Sequence, residues 1–311
     1  MTLLIQPDAG VAPLLSAVKK AKKSIEILVF RFDLTELEKA LEAAVTRGVQ
    51  VHALISHTNH GGERRLRDLE SALLAAGVTV SRTADDLVRY HGKMMIVDRR
   101  SLYLLGFNYT HLEVSKSRSF GFVVTDPRLV QEAIKLFEAD TARQPYTAGS
   151  DAFLVSPENA RTQLAAFIKG ARTELLIYDP KISDPLAVRQ LLERAKDGVE
   201  IRILGRIAKK GAALHAEKLP KLRLHVRAML RDGRELFVGS QSLRALELDR
   251  RREVGLIVRN PHVARQFRSV FEADWALTKT AVQEQEQVEK GERKADSIDA
   301  LTSGSLVQGI T

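Results

Sequence analysis

The chain has 311 residues, no cysteine, 44% hydrophobic and 28% charged residues, and a formal net charge of +9. That length supports a large core in one or two domains, and the lack of cysteine excludes disulfides, thiolate metal sites and cysteine nucleophiles together. The basic excess predicts attraction to something anionic, while 5% aromatic content leaves few stacking platforms for single strands.

In chain order, the N-terminal stretch lacks the basic region of a secretory signal, and Asp8 interrupts its apolar residues, so an uncleaved, cytoplasmic protein is expected. Val11, Leu14, Leu15, Val18 and Ala21 fall at helical spacing, and residues 25–30 follow as an unbroken apolar strand. Leu37, Leu41 and Ala44 mark a second helix that closes at Arg47-Gly48, and residues 49–55 form a second strand. His57 and His60, in Ser56-His57-Thr58-Asn59-His60-Gly61-Gly62, read as a polar loop rich in turn residues rather than a metal pair. Residues 64–77, with Leu66, Leu69, Leu73 and Leu74, predict a further helix. The order α-β-α-β then returns in Leu164, Phe167 and Ile168, in residues 175–178, in Val188, Leu191 and Ala195, and in the strand 199–204 after Asp197-Gly198. Trp275 is expected to close the core. Residues 279–311 carry few large apolar side chains and read as a flexible polar tail. No window reaches the roughly 18 uninterrupted apolar residues of a membrane span.

The chain is therefore a repeat. Phe137-Glu138-Ala139-Asp140 recurs as Phe271-Glu272-Ala273-Asp274, and 271 minus 137 gives the same offset of 134 as 225 minus 91. Gly48 and Gly198 differ by 150, so the first copy holds 150 minus 134, or 16, extra residues ahead of its histidine. The pattern predicts an α/β protein of two tandem units, residues 1–150 and 151–278, packed about a pseudo-twofold axis.

Both histidines at that offset open the same motif. His91-Gly92-Lys93-Met94-Met95-Ile96-Val97-Asp98 is His-x-Lys, four residues and Asp, and His225-Val226-Arg227-Ala228-Met229-Leu230-Arg231-Asp232 repeats it with arginine as the cation. In an extended segment His91 and Lys93 point to one side, as do His225 and Arg227. A cation neutralises the non-bridging oxygens of a phosphodiester, a neutral imidazole has a lone pair for attack, and a second, protonated imidazole can serve the leaving oxygen. Packing of the copies would bring both histidines to one interface, so neither copy should suffice alone.

These motifs, with Gly106-Phe107-Asn108 and Gly239-Ser240-Gln241-Ser242 downstream, resemble the phospholipase D superfamily over roughly residues 3–276. The resemblance implies that each unit is a mixed β-sheet flanked by helices, with one active site shared between them. It also implies a phosphohistidine intermediate with no metal and no cofactor. His91 is then the nucleophile and His225 the general acid, with the reverse assignment open. Lys93 and Arg227 would bind phosphate, and Asp98 and Asp232 complete the catalytic motifs, more in orienting their loops than in touching substrate. Asn108, Ser240, Ser242, Glu253 and, at the end of Tyr178-Asp179-Pro180-Lys181, Lys181 are the substrate-contact candidates. Arg118 and Arg252, aligned at the offset of 134, could flank the phosphate or lie on the surface.

The copies also differ. Arg227 replaces a lysine, Ser242 stands at the place of Asn108, Ser119 at that of Glu253, and Gly106 where the family often has serine, with Ser240 matched one residue later, beside Phe107. The expected reaction is hydrolysis or transfer of phospholipid phosphodiesters, with peripheral contact to an anionic membrane through the basic charge and no evident protein partner. A nuclease of the same superfamily and an inactive phosphate-binding module are the alternatives.

Overall fold

The computed structural model describes residues 1–57, 63–278 and 282, and two successions of strands and helices run through them. The expected polar tail lies, apart from Val282, outside the described residues, as does His60. The first succession is β1 (Thr2–Gln6), α1 (Ala12–Lys20), β2 (Ser24–Val29), α2 (Thr35–Thr46), β3 (Gln50–Ile55), α3 (Glu63–Ala75) and β4 (Thr79–Arg82). It continues with β5 (Arg89–Tyr90), β6 (Met94–Val97), β7 (Ser101–Leu105), α4 (His111–Lys116), β8 (Ser117–Val124) and α5 (Pro127–Ala142). The second is β9 (Phe153–Ser156), α6 (Ala160–Lys169), β10 (Glu174–Ile182), α7 (Pro185–Lys196), β11 (Glu200–Ile207) and β12 (Ala216–Glu217). Then come β13 (Arg223–Leu224), β14 (Arg227–Arg231), β15 (Glu235–Gly239), α8 (Ala245–Asp249), β16 (Arg251–Arg259) and α9 (Pro261–Trp275). The helix expected over 64–77 is α3, and its 13 residues account for most of the 16 that the first repeat holds in excess.

Local chemistry sets several of these ends. Helices α5, α7 and α9 each begin with proline behind Asp126, Asp184 or Asn260, whose side chains accept hydrogen bonds from the first free amides. Gly48 and Gly198, at φ +86° and +84°, end α2 and α7 in the left-handed region.

Each repeat builds a mixed sheet. The first runs β4-β3-β2-β6-β7-β8-β1; the second runs β12-β11-β10-β14-β15-β16, with β9 antiparallel on the far side of β16. Strands β2 to β4 are parallel, as are β10 to β12, and the remaining pairings within each repeat are antiparallel. The side chains alternate accordingly. Met95 and Val97 of β6 join Ile25, Ile27 and the buried faces of α1 and α2 in an outer core, while Met94 and Ile96 join Leu28 in a central one. In β14, Met229 enters the outer core of the second repeat, and Ala228 and Leu230 enter the same central core. That central core also takes Phe137 of α5 and Phe267 and Phe271 of α9, so both repeats bury their inner faces in one apolar mass. Trp275 is partly buried against it, stacked on Phe271 at 5.9 Å.

Two exchanges lock the repeats together. The dipeptide β5 of the first repeat pairs in parallel with Arg251 and Arg252 of β16, and β13 of the second pairs in parallel with Ser117 and Arg118 of β8. Arg118 is buried and donates from Nε and Nη2 to the Asp274 carboxylate at 2.7 and 3.0 Å, with the Tyr178 hydroxyl on the same carboxylate at 2.6 Å. Its counterpart Arg252 is also buried, and donates to Asp140 at 3.1 Å and to Glu158. Neither arginine flanks a phosphate or lies on the surface: both are cross-repeat ties, and Asp140 and Asp274 close the two copies of the recurring Phe-Glu-Ala-Asp.

Candidate active site

Each motif histidine sits where an exchanged dipeptide ends. His91 follows β5 and its amide donates to the Arg252 carbonyl at 2.7 Å; His225 follows β13 and its amide donates to the Arg118 carbonyl at 3.3 Å. Both residues are thus held on the other repeat's strand before the chain enters its own sheet. The strand proper begins only at Met94, yet the alternation works: Lys93 Nζ lies 3.0 Å from His91 Nδ1 and 2.9 Å from Nε2. Gly92 permits the turn-in, since a Cβ there would stand 2.9 Å from Leu28 and 3.3 Å from Val254. In the second repeat Arg227 Nε donates to Ser242 Oγ at 3.1 Å and lies 3.9 Å from Glu247 Oε2, while its Nη1 is buried without a protein partner.

Three carboxylates complete the site, and each reaches a motif group. Glu253, wholly buried, places Oε2 2.8 Å from His91 Nδ1 across the repeat boundary. With Nδ1–H donating to that carboxylate, Nε2 keeps its lone pair. Glu113 places Oε2 3.2 Å from His225 Nδ1, also across the boundary, and accepts from the Asn108 amide and, at 2.7 Å, from Asn108 Nδ2. Glu247 accepts from the Ser242 amide at 2.7 Å and from Arg244 at 3.0 Å. Because 247 minus 113 is again 134, Glu113 and Glu247 are equivalent residues. Neither lies within a histidine motif, although the offset that aligns the histidines aligns them too. Phe30, likewise outside the motifs, stands edge-on to the His91 ring at 4.5 Å and lies 5.4 Å from Lys93 Nζ.

Burial and the two cations decide protonation. Desolvation first, then Lys93 and Arg227, push the His91 imidazole well below its ordinary value, and desolvation, Arg227 and Lys93 do the same to His225. Lys93 and Arg227 each act on both imidazoles, and so across the repeat boundary. Lys93 is itself lowered to about 7, by desolvation, against the pull of Glu253 and Glu113. Burial raises the Glu253 carboxyl, opposed by Lys93.

Other candidates take different places. Asp98 and Asp232 lie at the far ends of β6 and β14, in left-handed turns at φ 53° and 49°, not beside the imidazoles. Asp98 accepts from the amides of Lys22, Lys23 and Ser24, and Asp232 from those of Arg172, Thr173 and Glu174, so each clamps its motif strand to the neighbouring helix-to-strand turn. Glu253 faces an imidazole, an arrangement for orienting the ring rather than for touching an anion. Lys181 is exposed; its amide, not its ammonium, binds Asp179 at 2.8 Å. Asp179 also accepts from the Leu243 amide at 2.8 Å, and burial raises it to about 6. Ser240 matches Gly106 rather than Phe107, since 240 minus 106 is 134: the Ser240 amide donates to Val254 as that of Gly106 donates to Phe120, each at 2.9 Å. Ser240 Oγ accepts from the Val254 amide at 3.0 Å. Ser119, at the place of Glu253, has a buried hydroxyl without a protein partner. Among the described residues no group of three His, Asp or Glu is arranged to hold a metal ion, and His57 donates its amide to Thr83 Oγ1 at 3.0 Å.

A family model for the phospholipase D-like domain of cardiolipin synthase matches residues 14–141 and 164–275, one stretch in each repeat. The chain belongs to the phospholipase D superfamily. This membership ties it to phosphodiester chemistry, and the twice-matched phospholipase D-like unit coincides with the two mixed sheets. Among curated proteins, the mitochondrial cardiolipin hydrolase of Danio rerio is 29% identical over 130 residues, which are 40% of this chain and 56% of that one. The chain thus spans little more than half the length of this relative. Among solved structures, the phosphatidylserine synthase of Haemophilus influenzae superposes with a TM-score of 0.68 at 10% identity, over 99% of this chain and 94% of that one. The polyphosphate kinase of Porphyromonas gingivalis gives 0.72 at 18% identity, over 87% of this phospholipase D-like chain and 46% of the kinase. Both share its fold. No described helix is long and apolar enough to cross a membrane.

Proposed function

We propose that the protein cleaves or transfers phospholipid phosphodiesters through a phosphohistidine intermediate on His91. The observation that carries this reading is the pairing of His91 Nδ1 with Glu253 at 2.8 Å, which leaves the Nε2 lone pair in a site shared with His225, Lys93 and Arg227. The substrate phosphate sits between the imidazoles, its non-bridging oxygens on Lys93 Nζ and the unpartnered Nη1 of Arg227. Nε2 attacks phosphorus, the bond to the leaving oxygen breaks, and His225 gives that oxygen its proton. Both imidazoles are neutral in the free protein. The bound anion offsets the two cations, and with Glu113 beside Nδ1 it lets His225 carry the proton. Water or an alcohol then gives its proton back to His225 and displaces Nε2. The positive charge comes from side chains, so chelators should leave the rate unchanged.

The test is hydrolysis by the purified protein, in chelator, of bis(p-nitrophenyl) phosphate, phosphatidylcholine, phosphatidylglycerol and plasmid DNA, with His91→Ala as control. Cleavage of a lipid diester that disappears in the variant supports the proposal. Preference for DNA would move it to a nuclease of the same family, and silence across the panel would leave a phosphate-binding protein.

A further inference from the structure

On the His91 side of the site, the Phe30 ring closes against the imidazole. The equivalent residue on the other side, at the offset of 150, is Pro180, and there the chain leaves a cavity of about 590 Å³. Leu219, Leu222 and Leu224 supply its apolar wall, and Arg206, Lys218 and Arg223 its cations. Its size falls in the roughly 300–1,000 Å³ range of small-molecule sites, and no aromatic ring lines it, so it offers a nucleobase nothing to stack on. Its lining reaches the edge of the site through Arg223. Leu224 precedes His225, and Arg223 Nη1 lies 3.7 Å from Glu113 Oε1, the carboxylate whose other oxygen meets His225 Nδ1 at 3.2 Å.

We infer that this cavity holds an alkyl or acyl chain carried by the alcohol that leaves, or accepts, on the His225 side. The inference rests on the reading of His91 as nucleophile. In an in-line displacement the leaving oxygen points away from Nε2 and toward the proton donor, so the group attached to it lies beside His225. A leucine wall rimmed by cations accepts a chain next to an anionic phosphate. In the transfer step the P–N bond to His91 breaks, a P–O bond to the incoming alcohol forms, and the alcohol's proton passes to His225. A long-chain alcohol is then favoured over a short one by its seat in the cavity.

Two measurements test this. Calorimetric titration compares dodecyl phosphate with inorganic phosphate on the wild-type protein, on Leu222→Asp and on Lys218→Glu; Lys218 is exposed, so this second variant leaves the core alone. Dodecyl phosphate should bind the wild type at least about tenfold more tightly than phosphate, and each variant should lose most of that margin. Equal binding of the two ligands would overturn the cavity assignment whether or not the protein cleaves diesters. The second measurement sets octanol against ethanol as acceptors with phosphatidylglycerol as donor. The octyl product should dominate in the wild type and fall several-fold in both variants, with bis(p-nitrophenyl) phosphate hydrolysis and the melting temperature checked alongside. An unchanged ratio despite weakened dodecyl phosphate binding would put the chain on the retained side and overturn the leaving-side placement. Absence of all turnover with binding intact would instead sink the proposed reaction.

Discussion

Glu253 and Ser119 occupy equivalent positions, and this difference makes the two imidazoles unlike. A buried carboxylate on Nδ1 fixes the ring and tautomer of His91 and, in the proposed reaction, stabilises positive charge as Nε2 attacks. Glu253→Gln should therefore lower kcat by about 10- to 100-fold with little change in KM, measured on a soluble diester. His91→Ala and His225→Ala should each abolish turnover; full activity in either would end the shared-site mechanism. In the proposed reaction Lys93 should set the pH dependence. Since it loses its proton near about 7, kcat/KM should fall as pH rises through that value, while the acid limb, set by His91 protonation, lies below 6.5. In Lys93→Arg the cation cannot discharge in this range, so the residual activity should lack the alkaline limb. A limb that persists would mean another group sets it. The histidines and their cations were legible because each motif is local in sequence. Glu113 and the role of Glu253 were not, because a carboxylate acting across a pseudo-twofold axis has no fixed spacing from the ring it orients, and Glu247 was not because it lies outside the motif whose cation it meets.

The elements that hold these side chains depend on polar clamps at their ends. Asp98 takes three amides from the turn before β2, and Asp232 does the same before β10. Asp98→Ala should lower stability by about 1–3 kcal/mol while the folded fraction keeps its kcat, as denaturant unfolding and active-site titration would show. A loss of kcat without loss of stability would return Asp98 to the chemistry. The Asp98 carboxyl is held below its ordinary value by amide donors that outweigh its desolvation. Its stabilisation is present above about 3.8 and is lost as pH falls through the folded-state value. Strands and helices themselves read well from the sequence, because apolar runs and Asx-Pro starts act locally. Lys181 and the arginines of β8 and β16 did not, since whether a basic residue at a strand end meets solvent, substrate or a buried carboxylate is decided by what packs on it.

The whole molecule is two half-sites closed by reciprocal ties. Removing the Arg118 side chain leaves the Asp274 carboxylate buried without a counter-ion, with the Tyr178 hydroxyl still on it, so Arg118→Met should cost about 3–5 kcal/mol, with strong coupling to Asp274→Asn in a double-mutant cycle. Residues 1–150 or 151–278 produced alone should be inactive toward any diester, and the two co-expressed should recover activity. Turnover by either half alone would contradict a site built from both. The pseudo-twofold arrangement was readable from the repeat offset, but the exchange of Arg89–Tyr90 and Arg223–Leu224 between sheets was not, because a two-residue pairing leaves no periodicity to detect.

That exchange has a consequence for the chain while it is being made. Tyr90 finds its strand only when Arg252 exists, and Arg118 finds its carboxylate only when Asp274 has left the ribosome. On the proposed mechanism a nascent chain that already displays His91 and Lys93 cannot yet cut a diester, and hydrolysis stays latent until Asp274 has emerged.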